Sequence, residues 1–137
     1  MCLEICKPYK HPHKGRGYKV FAKDIDGVGN NEIYPEYIGD TPYKVGEWYT
    51  ADEIYLEDTS GREYTSGYHI FTKLGDAKIW LGLSLYKEIR EVEYEDARTG
   101  GYQLSHNTGH CVVAQRMKIG KQVVKASTTT RLKWRET

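Results

Sequence analysis

The sequence predicts a single β-rich α+β domain, with an antiparallel or mixed sheet and one short helix near residues 74–83. Its 137 residues match the usual length of one domain. With 12 Tyr, 3 Trp and 2 Phe, the chain is too aromatic for a disordered protein. Apolar and polar residues alternate in several short segments, as they do in half-buried strands, whereas a single segment has helical spacing. These observations together predict the fold class.

The amino-terminal part divides into an irregular segment, a strand and a long loop. Residues 1–16 are predicted to be irregular, because two prolines and two glycines lie close together around them. The globular domain, predicted over residues 17–125, opens with an alternating strand at 17–23. Turn-forming residues then dominate positions 24–40, and a loop of that length in a compact domain is often functional.

The middle of the chain predicts a hairpin, a strand and the helix. Two short strands, 54–56 and 62–64, flank Asp58-Thr59-Ser60-Gly61, a typical hairpin connection. Residues 67–72 predict a further strand. The helix follows, because four apolar residues fall near one helical stripe: Leu74, Ala77, Trp80 and Leu81.

The last third of the chain predicts three strands and a tail. Residues 88–95 predict a surface strand with a bulge, since one of its apolar residues is out of phase with the others. Thr99-Gly100-Gly101 predicts a break in that strand. The most apolar strand, 111–119, is expected to pair with 122–125 through a turn, and residues 126–137 are expected to form a frayed tail.

Composition excludes several classes of protein. No stretch approaches the roughly 18 apolar residues of a membrane span, and the amino terminus lacks the apolar centre of a signal peptide. Three Cys is an odd number, which favours a reducing cytoplasm over a disulfide framework. We therefore expect a cytoplasmic protein that does not bind membranes.

Charge is strongly segregated although the formal net charge is only +1. Residues 1–23 carry six bases and one acid, and residues 99–137 carry seven bases and one acid. Residues 24–64 carry eleven acids and two bases, a net charge of −9. A surface of this kind either stays solvated or attracts a partner of opposite charge.

Acids and tyrosines of this acidic segment are the candidate partner-binding residues. Aromatic anchors supply much of the energy of protein interfaces, and acids steer a basic partner towards them. The candidates are Glu32, Tyr34, Glu36, Tyr37, Asp40, Asp52, Glu53 and Tyr55.

Two groups of Cys and His are weaker candidates for chemistry. Cys2, Cys6, His11 and His13 are all of a type that binds zinc, but their spacing departs from that of common zinc motifs. The sequence therefore favours no bound metal and no cofactor, with a small buried Cys and solvated His as the simpler interpretation. A nucleophile pair of Cys111 with His69 or His110 is a further alternative to a core cysteine.

Several short segments, taken in order, resemble a family of small uncharacterised proteins of bacteriophages and prophages. They are Met1-Cys2-Leu3, 18–21, 43–49, 67–71, Asp76-Ala77 and 112–119. This resemblance implies an accessory protein that acts in the cytoplasm of a bacterial host. It also implies binding and inhibition of a host macromolecule, such as a defence protein or a protein–nucleic-acid complex, without catalysis.

A more distant resemblance is to the architecture of ADP-ribosyltransferases. The strand at 67–72, followed by Asp76-Ala77-Lys78-Ile79-Trp80, is similar to that family in order and spacing. The resemblance implies, as an alternative function, a pocket for a nucleotide derived from NAD, lined by Tyr68, His69 and Gln115. A third alternative is nucleic-acid binding through the basic ends, from Lys7 to Lys23 and from Arg116 to Arg135.

Overall fold

The computed structural model describes residues 3, 5–23, 33–35, 42–58, 60–104 and 108–126. Three long strands dominate it, and the remaining strands are short. The strands are β1 (Ile5–Lys23), β2 (Ile33–Tyr34), β3 (Trp48–Thr50), β4 (Tyr55–Glu57), β5 (Glu63–Thr65), β6 (Tyr68–Phe71), β7 (Lys87–Leu104) and β8 (Thr108–Val124), with the helix α1 (Leu74–Leu81) between β6 and β7. The prediction of a β-rich fold with antiparallel pairing and one short helix is confirmed.

Four strands close a ring of hydrogen-bonded neighbours. β7 pairs along its length with both β1 and β8, while β6 pairs with β8 and touches β1 at the register Tyr18↔Phe71. β2 extends the sheet at β1 and β3 extends it at β8, and every pairing is antiparallel. β4 and β5 form a separate two-stranded sheet, the hairpin predicted around residues 58–61.

Apolar clusters occupy the two faces of the ring strands. Because side chains alternate along a strand, Val20 and Val113 pack on one face with Ala77 and Leu81 of α1. Their chain neighbours Phe21 and Val112 pack on the other face, in a cluster with Ile70, Val92 and Met117. Among the described residues, no helix is both long enough and apolar enough to cross a membrane.

The prediction of an irregular segment over residues 1–16 differs from the structure, in which β1 runs unbroken from Ile5. The two prolines are tolerated because, in the described part of the chain, this half of β1 pairs with β7 alone, and Pro12 lies in the stretch where that pairing is interrupted. The pairing shifts register between Pro8 and His13, as expected for a β-bulge.

Glycines predicted to end strands instead lie inside them. A Cβ on Gly100 would collide with the Tyr9 hydroxyl, so glycine here lets β1 and β7 approach closely. At Gly120 a Cβ would lie 3.0 Å from the Glu91 carbonyl oxygen, and β8 continues through this position. The predicted turn between 111–119 and 122–125 is therefore wrong, and residues 127–137 of the predicted tail lie outside the described residues.

Candidate functional site

The β4–β5 hairpin is held by the side chain of Asp58 at its turn. The carboxylate accepts hydrogen bonds from the backbone N–H of Ser60 (2.9 Å), Arg62 (2.9 Å) and Cys6 (2.9 Å), and from the Ser60 hydroxyl (2.7 Å). The Ser60 hydroxyl and these backbone donors hold the pKa of Asp58 well below its usual range. The turn is thus ordered internally and is tied to β1 through Cys6.

A second set of contacts fixes β5 to the body of the protein. The buried Tyr64 hydroxyl accepts a hydrogen bond from the Leu3 backbone N–H (2.8 Å) and lies 3.4 Å from Nε2 of His69. Burial, with the nearby Lys19 ammonium, lowers the pKa of His69 to about 3, so its ring is neutral at physiological pH. The Arg62 guanidinium adds a hydrogen bond to the Cys6 carbonyl oxygen at 3.3 Å.

The outward face of the hairpin carries an exposed tyrosine and two facing glutamates. Tyr55 is 77% exposed, an unusual exposure for so large an aromatic side chain. Glu57 and Glu63 are exposed and directly opposite each other in the strand register. Like charges in that position destabilise a sheet, so this pair is not explained by stability. Leu56 and Tyr64, one residue along each strand, pack inward.

The segment before β4 continues this surface. Asp52, Glu53 and Ile54 are all exposed, and Ile54 remains 58% exposed. The Ser66 hydroxyl accepts from the Ile54 N–H (3.1 Å) and donates to the Asp52 carbonyl oxygen (2.8 Å), which fixes the backbone here. Glu53 forms an ion pair with Arg98 at 2.9 Å. We call Asp52, Glu53, Ile54, Tyr55, Glu57 and Glu63 the hairpin surface.

The predicted partner-binding residues are divided by the structure. Asp52, Glu53 and Tyr55 lie together on the hairpin surface. Tyr34 is half-buried on β2, which belongs to the six-stranded sheet and not to the β4–β5 hairpin. The predictions at Glu32, Glu36, Tyr37 and Asp40 lie outside the described residues.

Sequence reasoning missed Glu57 and Glu63 as a facing pair. The predicted connection at 58–61 would place Glu57 opposite Arg62, an acid opposite a base. In the structure the connection is one residue longer, so Glu57 lies opposite Glu63 instead.

The residues of the alternative nucleotide pocket do not share one face. His69 is buried against Tyr64, whereas its neighbour Tyr68 packs with the apolar cluster on the opposite face. Gln115 is buried and donates from Nε2 to the Ser66 carbonyl oxygen at 2.6 Å. The described residues thus provide no common pocket wall for these three side chains.

The weak metal candidates are spread along β1. Cys6 is buried, whereas His11 and His13 are exposed, and the His13 ring stacks on Tyr9 at 4.1 Å. Seven residues of extended strand separate Cys6 from His13 by about 23 Å, too far for one metal ion. Cys2 lies outside the described residues, and within the described part of the chain no cluster of three metal-binding side chains occurs.

The buried cysteines lack the environment of a nucleophile. Burial raises the pKa of Cys111 to about 12, and burial together with a hydrogen bond to Asp58 raises that of Cys6 to about 11. Both side chains are therefore neutral thiols near pH 7. His110, the other predicted partner of Cys111, instead lies 3.1 Å from the Thr72 hydroxyl through Nδ1.

The chain matches no protein-family model, no curated protein and no solved structure.

Proposed function

We propose that this protein is a phage-type accessory protein that binds a basic macromolecule of the bacterial host, and inhibits it, through the hairpin surface. The observation that carries the proposal is the outward face of the hairpin, where Tyr55 stands exposed beside the facing acids Glu57 and Glu63. The resemblance of the sequence to phage accessory proteins supports a partner in the host cytoplasm, with a defence component as the target.

The charges of this surface favour a basic partner. No ion pair with another described residue compensates Asp52, Glu57 or Glu63, whereas Glu53 is paired with Arg98. A basic partner relieves the repulsion between Glu57 and Glu63, so association gains energy that the free protein lacks. Uncompensated charge of one sign also speeds the encounter with an oppositely charged partner.

The rigidity of the hairpin also supports binding. The turn is fixed by Asp58, β5 by Tyr64, and the segment before β4 by Ser66. Because the backbone is already ordered, little conformational entropy is lost when a partner docks. An exposed aromatic on such a support is a typical interface anchor.

Affinity capture with matched variants tests this proposal. The tagged protein and its Tyr55→Ala and Glu63→Lys variants are expressed in a bacterial host, and the captured partner is identified and purified. We expect Tyr55→Ala to weaken binding to the purified partner by about thirtyfold, the effect of losing an interface anchor. Glu63→Lys should slow association, most clearly at low salt.

Glu47→Lys is the matched control, since it makes the same charge change at an exposed residue outside the hairpin surface. If the partner binds the Tyr55→Ala and Glu63→Lys variants as tightly as it binds the unchanged protein, the proposed surface is refuted. A partner whose contact face is acidic would refute the role given to Glu57 and Glu63.

A further inference from the structure

A second polar face lies on the long strands, away from the residues of the hairpin surface. Strand register places Arg16, Glu93, Lys118 and Trp48 in one row across β1, β7, β8 and β3. Directly opposite residues of antiparallel strands point to the same face, and four neighbouring strands span about 14 Å. Across the sheet, the row therefore consists of a basic, an acidic, a basic and an aromatic side chain.

Two adjoining cavities open along this row, and together they form one groove. The first encloses about 240 Å³ and the second about 430 Å³, and Arg16 and Glu93 line both. Lys118 and Lys121 border the first cavity, while Lys14 and Trp48 border the second. The groove thus brings residues from both basic ends of the sequence onto one face of the fold.

Two cations of the groove, Arg16 and Lys121, are loosely held, whereas Lys118 is 33% exposed and its ammonium lies 3.3 Å from the Glu93 carboxylate. The side chains of Arg16 and Lys121 are 74% and 76% exposed, with single ion pairs of 3.3 Å to Glu93 and 3.4 Å to Glu91. Lys14 is exposed and forms no ion pair with another described residue. Exposed ion pairs of this kind contribute little to stability, so a phosphate can replace the carboxylate as the partner of the arginine or lysine side chain.

Trp48 supplies a flat aromatic surface at the end of the row. The Arg116 guanidinium lies 4.8 Å and the Lys118 ammonium 5.4 Å from the centre of its ring, and both belong to β8. Trp48 is half-buried, and in the described part of the chain its strand β3 pairs with β8 alone, so Trp48 lies on an edge strand of the sheet. A ring in this position is available to stack on a base.

We propose that this groove binds single-stranded nucleic acid, with a base stacked on Trp48 and the phosphates along Lys14, Arg16, Lys118 and Lys121. Proteins that bind a single strand without reading its sequence combine an aromatic side chain, on which a nucleobase stacks, with basic side chains that contact the phosphates. A duplex does not fit this arrangement, because the faces of its bases are already stacked on one another and none is free to stack on Trp48. The inference is independent of the hairpin surface, since the two share no residue.

Fluorescence anisotropy with labelled oligo(dT) and oligo(U) of about 15 nucleotides tests the proposal on the full chain. Four phosphate contacts predict a slope of log affinity against log salt of about −3 between about 50 and 200 mM. Arg16→Gln with Lys121→Gln should reduce that slope by about 1.4, which is 0.7 for each lost contact. Trp48→Leu should weaken binding by about tenfold or more, the effect of losing one stacked base.

The matched control is Lys73→Gln with Lys78→Gln, which removes two exposed lysines at the helix and should change neither affinity nor slope. Because Arg16 and Lys121 are largely exposed, their double variant reports on binding even if Trp48→Leu fails to fold. Absence of binding up to about 100 μM protein would overturn the proposal. An equal loss of affinity in the two double variants would also overturn it. The same holds if a duplex or a mononucleotide binds as tightly as the single strand.

Discussion

Glu88 is the carboxylate whose removal should most affect the fold. Its side chain is fully buried, with Arg90 Nε at 2.5 Å, Gln122 Nε2 at 2.6 Å and Lys23 Nζ at 3.5 Å. Arg90 also donates to the Gly120 carbonyl oxygen at 3.0 Å, so this network joins the ends of β1, β7 and β8 beside the groove. Glu88→Gln keeps the size of the side chain but leaves two cations without their counter-charge.

We expect Glu88→Gln to lower the free energy of unfolding by about 3 kcal/mol. Removing one partner of a buried ion pair costs about 3–5 kcal/mol. The lower end of that range applies because the side chains of Lys23 and Arg90 are 11% and 13% exposed, so water still reaches them. Urea denaturation measures this change, and in a domain of this size the melting temperature should fall by about 10 °C.

Two further variants decide whether this reasoning is correct. Glu93→Gln is the surface control, since Glu93 is 37% exposed and its partners Arg16 and Lys118 are 74% and 33% exposed, and it should cost at most about 1 kcal/mol. Glu88→Gln combined with Arg90→Gln should cost less than the sum of the two single variants, because the second change removes a charge that the first left unpaired. A loss for Glu88→Gln no larger than that of Glu93→Gln would refute the buried network.

Three other predictions concern the supports of the hairpin surface and the buried thiols. Tyr64→Phe should destabilise the protein by about 1–3 kcal/mol in urea denaturation, because it leaves a buried backbone N–H without an acceptor, whereas Tyr55→Phe should have no effect. Stability should fall as the pH is lowered from about 6.5 towards 3, because the unfolded state takes up a proton at His69 that the native state does not. His69→Asn should flatten that dependence of the urea midpoint on pH, and an unchanged slope would contradict the assignment. Cys6 and Cys111 should resist alkylation by iodoacetamide at pH 7 in the native protein and react in urea, as followed by peptide mass spectrometry; rapid native labelling of either would contradict its burial.

The hairpin could be predicted from sequence because its determinants are local. Asp58 satisfies donors at Ser60 and Arg62, only two and four residues further on, so the turn depends on its own residues. The helix follows from its spacing in the same way, and it ends at Gly82, which adopts a positive φ of 56°.

The long strands could not be predicted because distant contacts override local preference. Proline and glycine disfavour a strand locally, but pairing with a neighbouring strand can outweigh that preference. Because β7 pairs with both β1 and β8, β1 continues through Pro8 and the bulge after it, and β8 continues through Gly120. The row from Arg16 to Trp48 could not be predicted either, because it depends on the register of four strands that are far apart in the chain.

The two proposed surfaces differ in how their charges are balanced, and this difference separates their modes of binding. The acids Glu57 and Glu63 repel each other in the free protein, so a basic partner gains attraction without displacing an existing one. In the groove, Arg16, Lys118 and Lys121 already have carboxylate partners, so a phosphate bound at any of these three exchanges one ion pair for another. The net electrostatic gain per contact is therefore smaller in the groove, and stacking on Trp48 must supply much of the affinity. For that reason Trp48→Leu should affect binding at high salt as strongly as at low salt, whereas the effect of Glu63→Lys on the hairpin surface should fade as salt is added.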